Sequence, residues 1–299
     1  MAVLTEGGPR VAPAAWYASR KRRGQAARLL LHLVLILAGL TFVLPFIWMI
    51  STSLKVTGTE FDFPPQWIPN PALWDNYKTA LLDTIPFFSY ARNTMVITVG
   101  ATVGDVLVTS LTGYSYARLR WPGRNIMFLF TLSTLMLPGI VTVIPVFLLM
   151  RSLGWIDTFL PLIVPAWAGG SAFSIFLFRQ FFLTIPSELD EAARMDGANP
   201  LRIWWSLMLP LSAPVLATVA ILDVLNSWND FFNPLIYLNS DSNYTLALGL
   251  GQFTVGHNGQ LYNLQMAAAT AMTIPVIILF FTAQRYFMRG IVTTGLTGR

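Results

Sequence analysis

Side chains able to make or break covalent bonds are scarce in this sequence. It has no cysteine and only two histidines, His32 and His257, which are far apart and in no HExxH arrangement. Thiolate chemistry, disulfides and cysteine metal sites are thereby excluded, and a zinc hydrolase has no support. A phosphate-cradling ATP loop places a glycine directly before its lysine, but here Lys21 follows Arg20, Lys55 follows Leu54 and Lys78 follows Tyr77. We therefore assign no ATPase site, no catalytic set and no metal site to the chain. What remains are carboxylates and amides embedded in apolar stretches: Asp105 in one, and Asp223, Asn226, Ser227, Trp228, Asn229 and Asp230 in another. Amides and carboxylates hydrogen-bond polar solutes and an indole offers a flat face for one to rest on, so the second group is a candidate substrate pathway. Hydrogen bonding between helices explains the same residues equally well. A charge at mid-bilayer costs about 2.5–3.5 kcal/mol on insertion scales, so Asp105 and Asp223 are expected to face protein or water. As ion sites, these two would also fit a proton- or sodium-coupled secondary transporter. An intramembrane enzyme would need a nucleophile with a base, or paired carboxylates, and His32 has no evident partner.

The most elaborate polar stretch runs from Pro186 to Pro210. Ser187 is placed to N-cap a helix with Asp190 as its capping-box partner, and Glu188, Asp190 and Glu191 bring negative charge to the positive end of the helix dipole. Leu189, Ala192, Ala193 and Asp196 share one face, where two alanines admit another backbone. Gly197 suits a left-handed C-cap, and Asn199 followed by Pro200 suits the start of a second helix that ends at Leu209-Pro210. Helix, sharp turn, helix is the form of a docking element.

The elements around these residues are membrane spans. Of 299 residues, 55% are hydrophobic and 11% charged, and mean hydropathy is +0.59, more apolar surface than a soluble domain hides from water. A helix needs about 20 apolar residues to cross the hydrocarbon core. Six stretches qualify, about 29–50, 93–117, 126–150, 158–178, 209–238 and 261–287, so the expected fold is all-α and polytopic. Residues 29–289 are expected to form the six-span membrane domain, preceded by a basic, flexible arm at 1–28 and followed by a tail at 290–299. The first span is too long for a signal-peptide core and is expected to stay as an anchor. Gly100 and Gly104 in the second span have a GxxxG spacing that favours close helix packing. Pro138-Gly139, Pro145, Pro161, Pro165 and Gly169-Gly170 predict kinks or breaks in the third and fourth. The segments 51–90 and 239–260 are expected as loops on the face opposite the docking element, the second rich in Gly and Asn.

Fifteen of the nineteen Lys and Arg fall on the side of the termini and the docking element, and four, Lys55, Lys78, Arg92 and Arg151, on the other. The positive-inside rule predicts that both termini and residues 186–210 are cytoplasmic. The run Arg20-Lys21-Arg22-Arg23 is a lipid-headgroup anchor on this reading, with no nucleic-acid partner.

Glu191-Ala192-Ala193, three residues, Gly197, nine residues, then Leu207-Met208-Leu209-Pro210 resembles the EAA loop of the membrane subunits of binding-protein-dependent ABC importers. Leu207 stands where that family usually has isoleucine. Arg92-Asn93-Thr94, the run Ala117 to Arg124, and Trp228-Asn229-Asp230-Phe231 with Pro234-Leu235 look like the carbohydrate branch, in particular its maltose-importer G-type permeases, over roughly residues 27–299. The resemblance implies a type I importer permease fold in a bacterial or archaeal inner membrane. It implies a heterodimer with a second permease, two copies of a cytoplasmic ATPase that hold the ATP and Mg, an external solute-binding protein, and a cargo such as a maltose- or trehalose-like disaccharide. By the same resemblance Glu188, Glu191, Ala192, Ala193, Arg194, Met195, Asp196, Gly197, Leu209 and Pro210 couple to the ATPase. The loop at about 249–263, with Gln252, His257, Asn258, Gln260 and Tyr262, would meet the binding protein, and residues 290–299 would also touch the ATPase. In the maltose branch the partner permease holds most of the sugar. An ion-coupled transporter would leave the docking element unexplained.

Overall fold

The computed structural model describes residues 15–255 and 261–295. The regular elements among its described residues are all helical. The first, α1 (Ala15–Ser53), starts inside the arm expected to be flexible, because the alanines, arginines and lysines there are good helix formers. It is exposed from Leu29 to Ile47, as a lipid-facing span should be, packs against the last helix, and buries its final residues, Ser51 to Ser53, against the segment that follows. The segment 51–90 contains α2 (Asp75–Lys78) and a π-helical turn at Thr79–Thr84. Asn76 Nδ2 donates to the carbonyls of Ser53 and Lys55 at 2.9 and 2.8 Å, and Lys55 lies buried over the Trp48 ring. That segment is therefore ordered.

The central element is α3 (Phe87–Arg118), which begins six residues before the predicted span. It is followed by α4 (Arg124–Ser133), α5 (Gly139–Ser152), α6 (Leu160–Ala168) and α7 (Ala172–Thr184). Across Pro138, which has no N–H to donate, the third span bends by 101°. The fourth breaks at Gly169-Gly170, where Gly170 has φ +65°, and Ser171 caps α7 by accepting from the Ser174 N–H. Gly100 and Gly104 let α6 close on α3, with Ile163 against the first and Trp167 over the second, whose indole donates to the Gly100 carbonyl at 2.9 Å. The GxxxG pair is thus a packing device.

Next come α8 (Ser187–Met195), α9 (Pro200–Ile203), a π-helical turn at Trp204–Met208 and α10 (Leu209–Leu211). An 83° bend leads into α11 (Ala213–Trp228). The fifth span is shorter than predicted: it stops at Trp228 and resumes as α12 (Phe232–Tyr237). Residues 239–260 are not simply a loop, since α13 (Leu246–Val255) buries Leu246, Leu248 and Phe253 against α3 and the long final helix, α14 (Tyr262–Gly295). Among the described residues four helices are long and apolar enough to cross a membrane, or six if each bent pair is one span. Six matches the sequence expectation.

Candidate functional site

Three groups of polar residues are built onto this bundle. At one end, α8 is held in place from within. The expected capping box does not form: Pro186 occupies the N-cap position without a side-chain bond, and Asp190 points inward, buried, 3.6 Å from Arg118 Nε. The reason is Arg118 at the end of α3, a stronger partner than a backbone amide in a desolvated position. Its Nη2 also donates to the carbonyl of Phe182, at 2.6 Å, and to that of Ile185, satisfying the free C-terminal end of α7. One guanidinium thus ties together α3, α7 and α8. Burial pushes the Asp190 carboxyl above the usual range, opposed by Arg118 and Arg194.

The turn after α8 forms as its sequence predicts. Gly197 has φ +80°, its N–H reaches the Arg194 carbonyl and the Ala198 N–H reaches that of Ala193, both at 3.0 Å, which is a Schellman closure. Asn199 Oδ1 accepts from the Arg202 N–H at 2.8 Å, with Pro200 in the first turn of α9. Ala193 faces the bundle, so the two alanines do not present a common outer face. Glu188, Glu191, Ala192, Arg194, Met195 and Asp196 are exposed, together with Leu189, Leu201 and Trp205. Leu209 is half-buried and Pro210 exposed, while Trp204 and Met208 anchor the second helix in a core with Phe178, Phe182 and Val219.

The second group lines a cavity of about 490 Å³ between α3, α5, α6, α11 and α12, within the range of small-ligand sites. Asp223, Asn226, Ser227 and Asp230 are on its wall as expected, joined by Thr94, Thr102, Asp105, Asn233 and Tyr237. Two expected residues are not. Trp228 turns into the core, buried against Leu264, Ala268 and Met272, and its Nε1 donates to the Met272 carbonyl at 3.3 Å. Asn229, the C-cap of α11, opens onto a separate cleft with Ala247, Leu250 and Met272, and its Nδ2 donates back to the Leu225 carbonyl at 2.8 Å. Asp105 is buried, and its Oδ1 accepts from the Ser171 N–H at 2.6 Å, so this carboxylate holds the broken start of α7. The threonines sequence reading missed carry a signal: Thr94, Thr98, Thr102, Asp105 and Thr109 recur every three or four residues, a polar stripe along an apolar helix.

At the other end the turn between α5 and α6 is laced to residues 239–243. Asp157, with φ +61°, accepts from the N–H groups of Asn239 and Ser240 at 2.9 Å, from the Ser240 hydroxyl and from Asn243. The Ser240 hydroxyl and amide, then the Asn239 amide, hold its carboxyl far below the usual range. Asn93 Nδ2 donates to the Ser242 and Tyr244 carbonyls, and Thr94 Oγ1 accepts from the Leu246 N–H, which explains the Asn93-Thr94 pair of the motif. Gln252 donates to Asp241, which also accepts from Tyr90, and Tyr262 packs edge-on against Phe61. His257, Asn258 and Gln260 lie outside the described residues.

Interrupted membrane helices around a polar cavity, with a capped helix pair locked onto one end, define a membrane transport subunit. Comparison with known proteins agrees. Residues 105–293 match the model of the family described as binding-protein-dependent transport system inner membrane component, and the chain belongs to that family. It is 35% identical, over 83% of its length and 86% of the relative, to the arabinooligosaccharides transport system permease protein AraQ of Halalkalibacterium halodurans. It is 33% identical, over 87% and 94%, to the sn-glycerol-3-phosphate transport system permease protein UgpE of Yersinia enterocolitica. Among solved structures it resembles a chain of a bacterial ABC transporter involved in the import of the acidic polysaccharide alginate, with a TM-score of 0.77, 26% identity and coverage of 89% and 98%.

Proposed function

We propose that this chain is one permease of an ATP-driven importer for a sugar or oligosaccharide, paired with a second permease, two ATPase subunits and an external solute-binding protein. The ATPases carry the ATP and Mg and dock on α8 at the cytoplasmic face of the membrane. The observation that carries this reading is the build of the α8 turn: an outer surface of Glu188, Glu191, Ala192 and Met195, and an inner surface ion-paired through Asp190 to the helix that lines the cavity. A displacement of α8 by closing ATPases is passed by Arg118 to α3 and α7 together. Because Asp105 joins α3 to the start of α7, both sides of the α6–α7 break move as one wall of the cavity. Alternating access follows from that movement. Maltose- and trehalose-like disaccharides fit the resemblance, and the cargoes named for the relatives include a phosphate and an acidic polysaccharide.

Affinity purification of the tagged chain should bring down an ATPase and a second permease, and the assembly in proteoliposomes should take up sugar only with ATP. An active homo-oligomer needing neither partner would sink the proposal. Gly197→Trp, which strains a left-handed residue and puts bulk on the docking surface, should leave insertion and ATP hydrolysis intact while abolishing uptake. Wild-type uptake by that variant would remove Gly197 from the coupling path.

A further inference from the structure

Resting on the reading of the cavity as a sugar pathway, we infer that this chain's wall of it admits uncharged polyhydroxylated cargo and rejects glycans bearing phosphate or carboxylate. The wall carries three carboxylates, Asp105, Asp223 and Asp230, and among the described residues that line it there is no lysine, arginine or histidine. Asp230 is partly engaged by Asn233, whose N–H and Nδ2 donate to its two oxygens at 3.2 and 2.8 Å. The other two lie against each other. Asp105 is 6% exposed and its Oδ1 is committed to Ser171, while the Asp223 carboxyl lies within hydrogen-bonding reach of that of Asp105, so the two form one acidic pair on the wall.

Buried carboxylate oxygens are acceptors that require donors. A sugar hydroxyl supplies one and adds no charge, and Asn226 beside them offers both an amide donor and an acceptor. A phosphate or carboxylate on the cargo offers chiefly acceptors at neutral pH, which the acceptor oxygens of Asp105, Asp223 and Asp230 do not match. It also brings like charge into a low-dielectric cleft, where repulsion is least screened and the field is focused. Donor matching and charge thus select the same class of cargo.

The chain has no cysteine, so the sign of the cavity can be read with single thiols in the assembled complex. Asn226→Cys places one in the cavity, and Phe63→Cys, at a side chain 93% exposed and outside it, is the control. Each is reacted with the anionic 2-sulfonatoethyl and the cationic 2-(trimethylammonio)ethyl methanethiosulfonates. The cationic-to-anionic rate ratio at Asn226→Cys should exceed that of the control by on the order of tenfold. Adding Asp223→Asn or Asp230→Asn should lower it several-fold, with Asp105 left in place because it holds α7. A ratio equal to the control, or one indifferent to both neutralisations, would overturn the inference. So would ATP-dependent uptake of trigalacturonate at the rate of maltotriose by the unsubstituted importer, which would leave the importer reading standing. ATP-dependent uptake of no glycan would instead defeat the importer reading, while the thiol ratio would still report the charge of the cavity.

Discussion

Arg118 ties three helices together, since its guanidinium meets the Asp190 carboxylate of α8 and two carbonyls at the end of α7. Both partners of the ion pair are more than nine-tenths buried, so removing one leaves the other stranded. Arg118→Ala should destabilise the chain by about 3–5 kcal/mol, the range for a broken buried pair. Its pH dependence has a definite sign. The Asp190 carboxyl already sits above its usual value of 3.8 because of burial, and loss of Arg118 removes the first opposing influence and raises it further. A carboxyl raised in the folded state favours unfolding once ionised, so the penalty in Arg118→Ala should grow as pH rises from the unfolded value through the raised folded one. Melting of the solubilised protein at pH 5 and pH 8 tests this. Arg118→Ala should lose more at pH 8, whereas Arg118→Ala combined with Asp190→Asn should show no such trend.

At the scale of elements, the bundle depends on how closely α6 and α7 approach α3. A Cβ on Gly104 would overlap the Trp167 indole, while one on Gly139 would meet nothing within 4 Å. Gly104→Ala should therefore cost about 1–3 kcal/mol through overpacking, and Gly139→Ala should be near neutral, compared by thermal melting. The turn between α5 and α6 is likewise bound to residues 239–243 through Asp157, and here the sign is the ordinary one for a depressed carboxyl. Its contribution is complete above the unfolded value of 3.8 and is lost as pH falls through the folded value below that. Hydrogen exchange at the Asn239 and Ser240 amides should be fast in Asp157→Asn at pH 7, slow in the unsubstituted protein there, and alike in both only in strong acid. Much of this element level is legible in the sequence, for physical reasons. Apolar length marks the spans, Gly100 and Gly104 mark a contact, Gly169-Gly170 mark a break, and Gly197 and Asn199-Pro200 mark a capped turn, because each is a local requirement of backbone or packing. What is not legible depends on partners distant in sequence. Asp190 reads as a capping residue until Arg118, 72 positions away, is seen beside it. Trp228 reads as a sugar platform until α14 covers it. The helical α13 hides in a Gly- and Asn-rich stretch because burial against α3 and α14 overrides weak propensity.

For the molecule as a whole, the polar groups separate by end as well as by element. Arg118, Arg120, Arg124 and Arg194 gather in the cleft beside α8, whereas the opposite end is held by Asp157, Asp241, Asn93 and other residues that bind through amides and hydroxyls. The asymmetry is what a bundle needs if one end meets an anionic inner leaflet and a nucleotide-driven partner and the other meets a soluble ligand carrier. The orientation it predicts has α8 inside, and Phe63 and the segment around it outside. The cysteine-free chain makes this testable with two single substitutions at side chains that project freely, Met195→Cys, 88% exposed, and Phe63→Cys, 93% exposed. A membrane-impermeant maleimide added to intact cells should label Phe63→Cys and leave Met195→Cys untouched, and inverted vesicles should reverse the pattern when the docked ATPase is stripped away. Labelling of Met195→Cys from outside would invert the charge count of every loop at once, and would leave α8 with no access to a cytoplasmic motor.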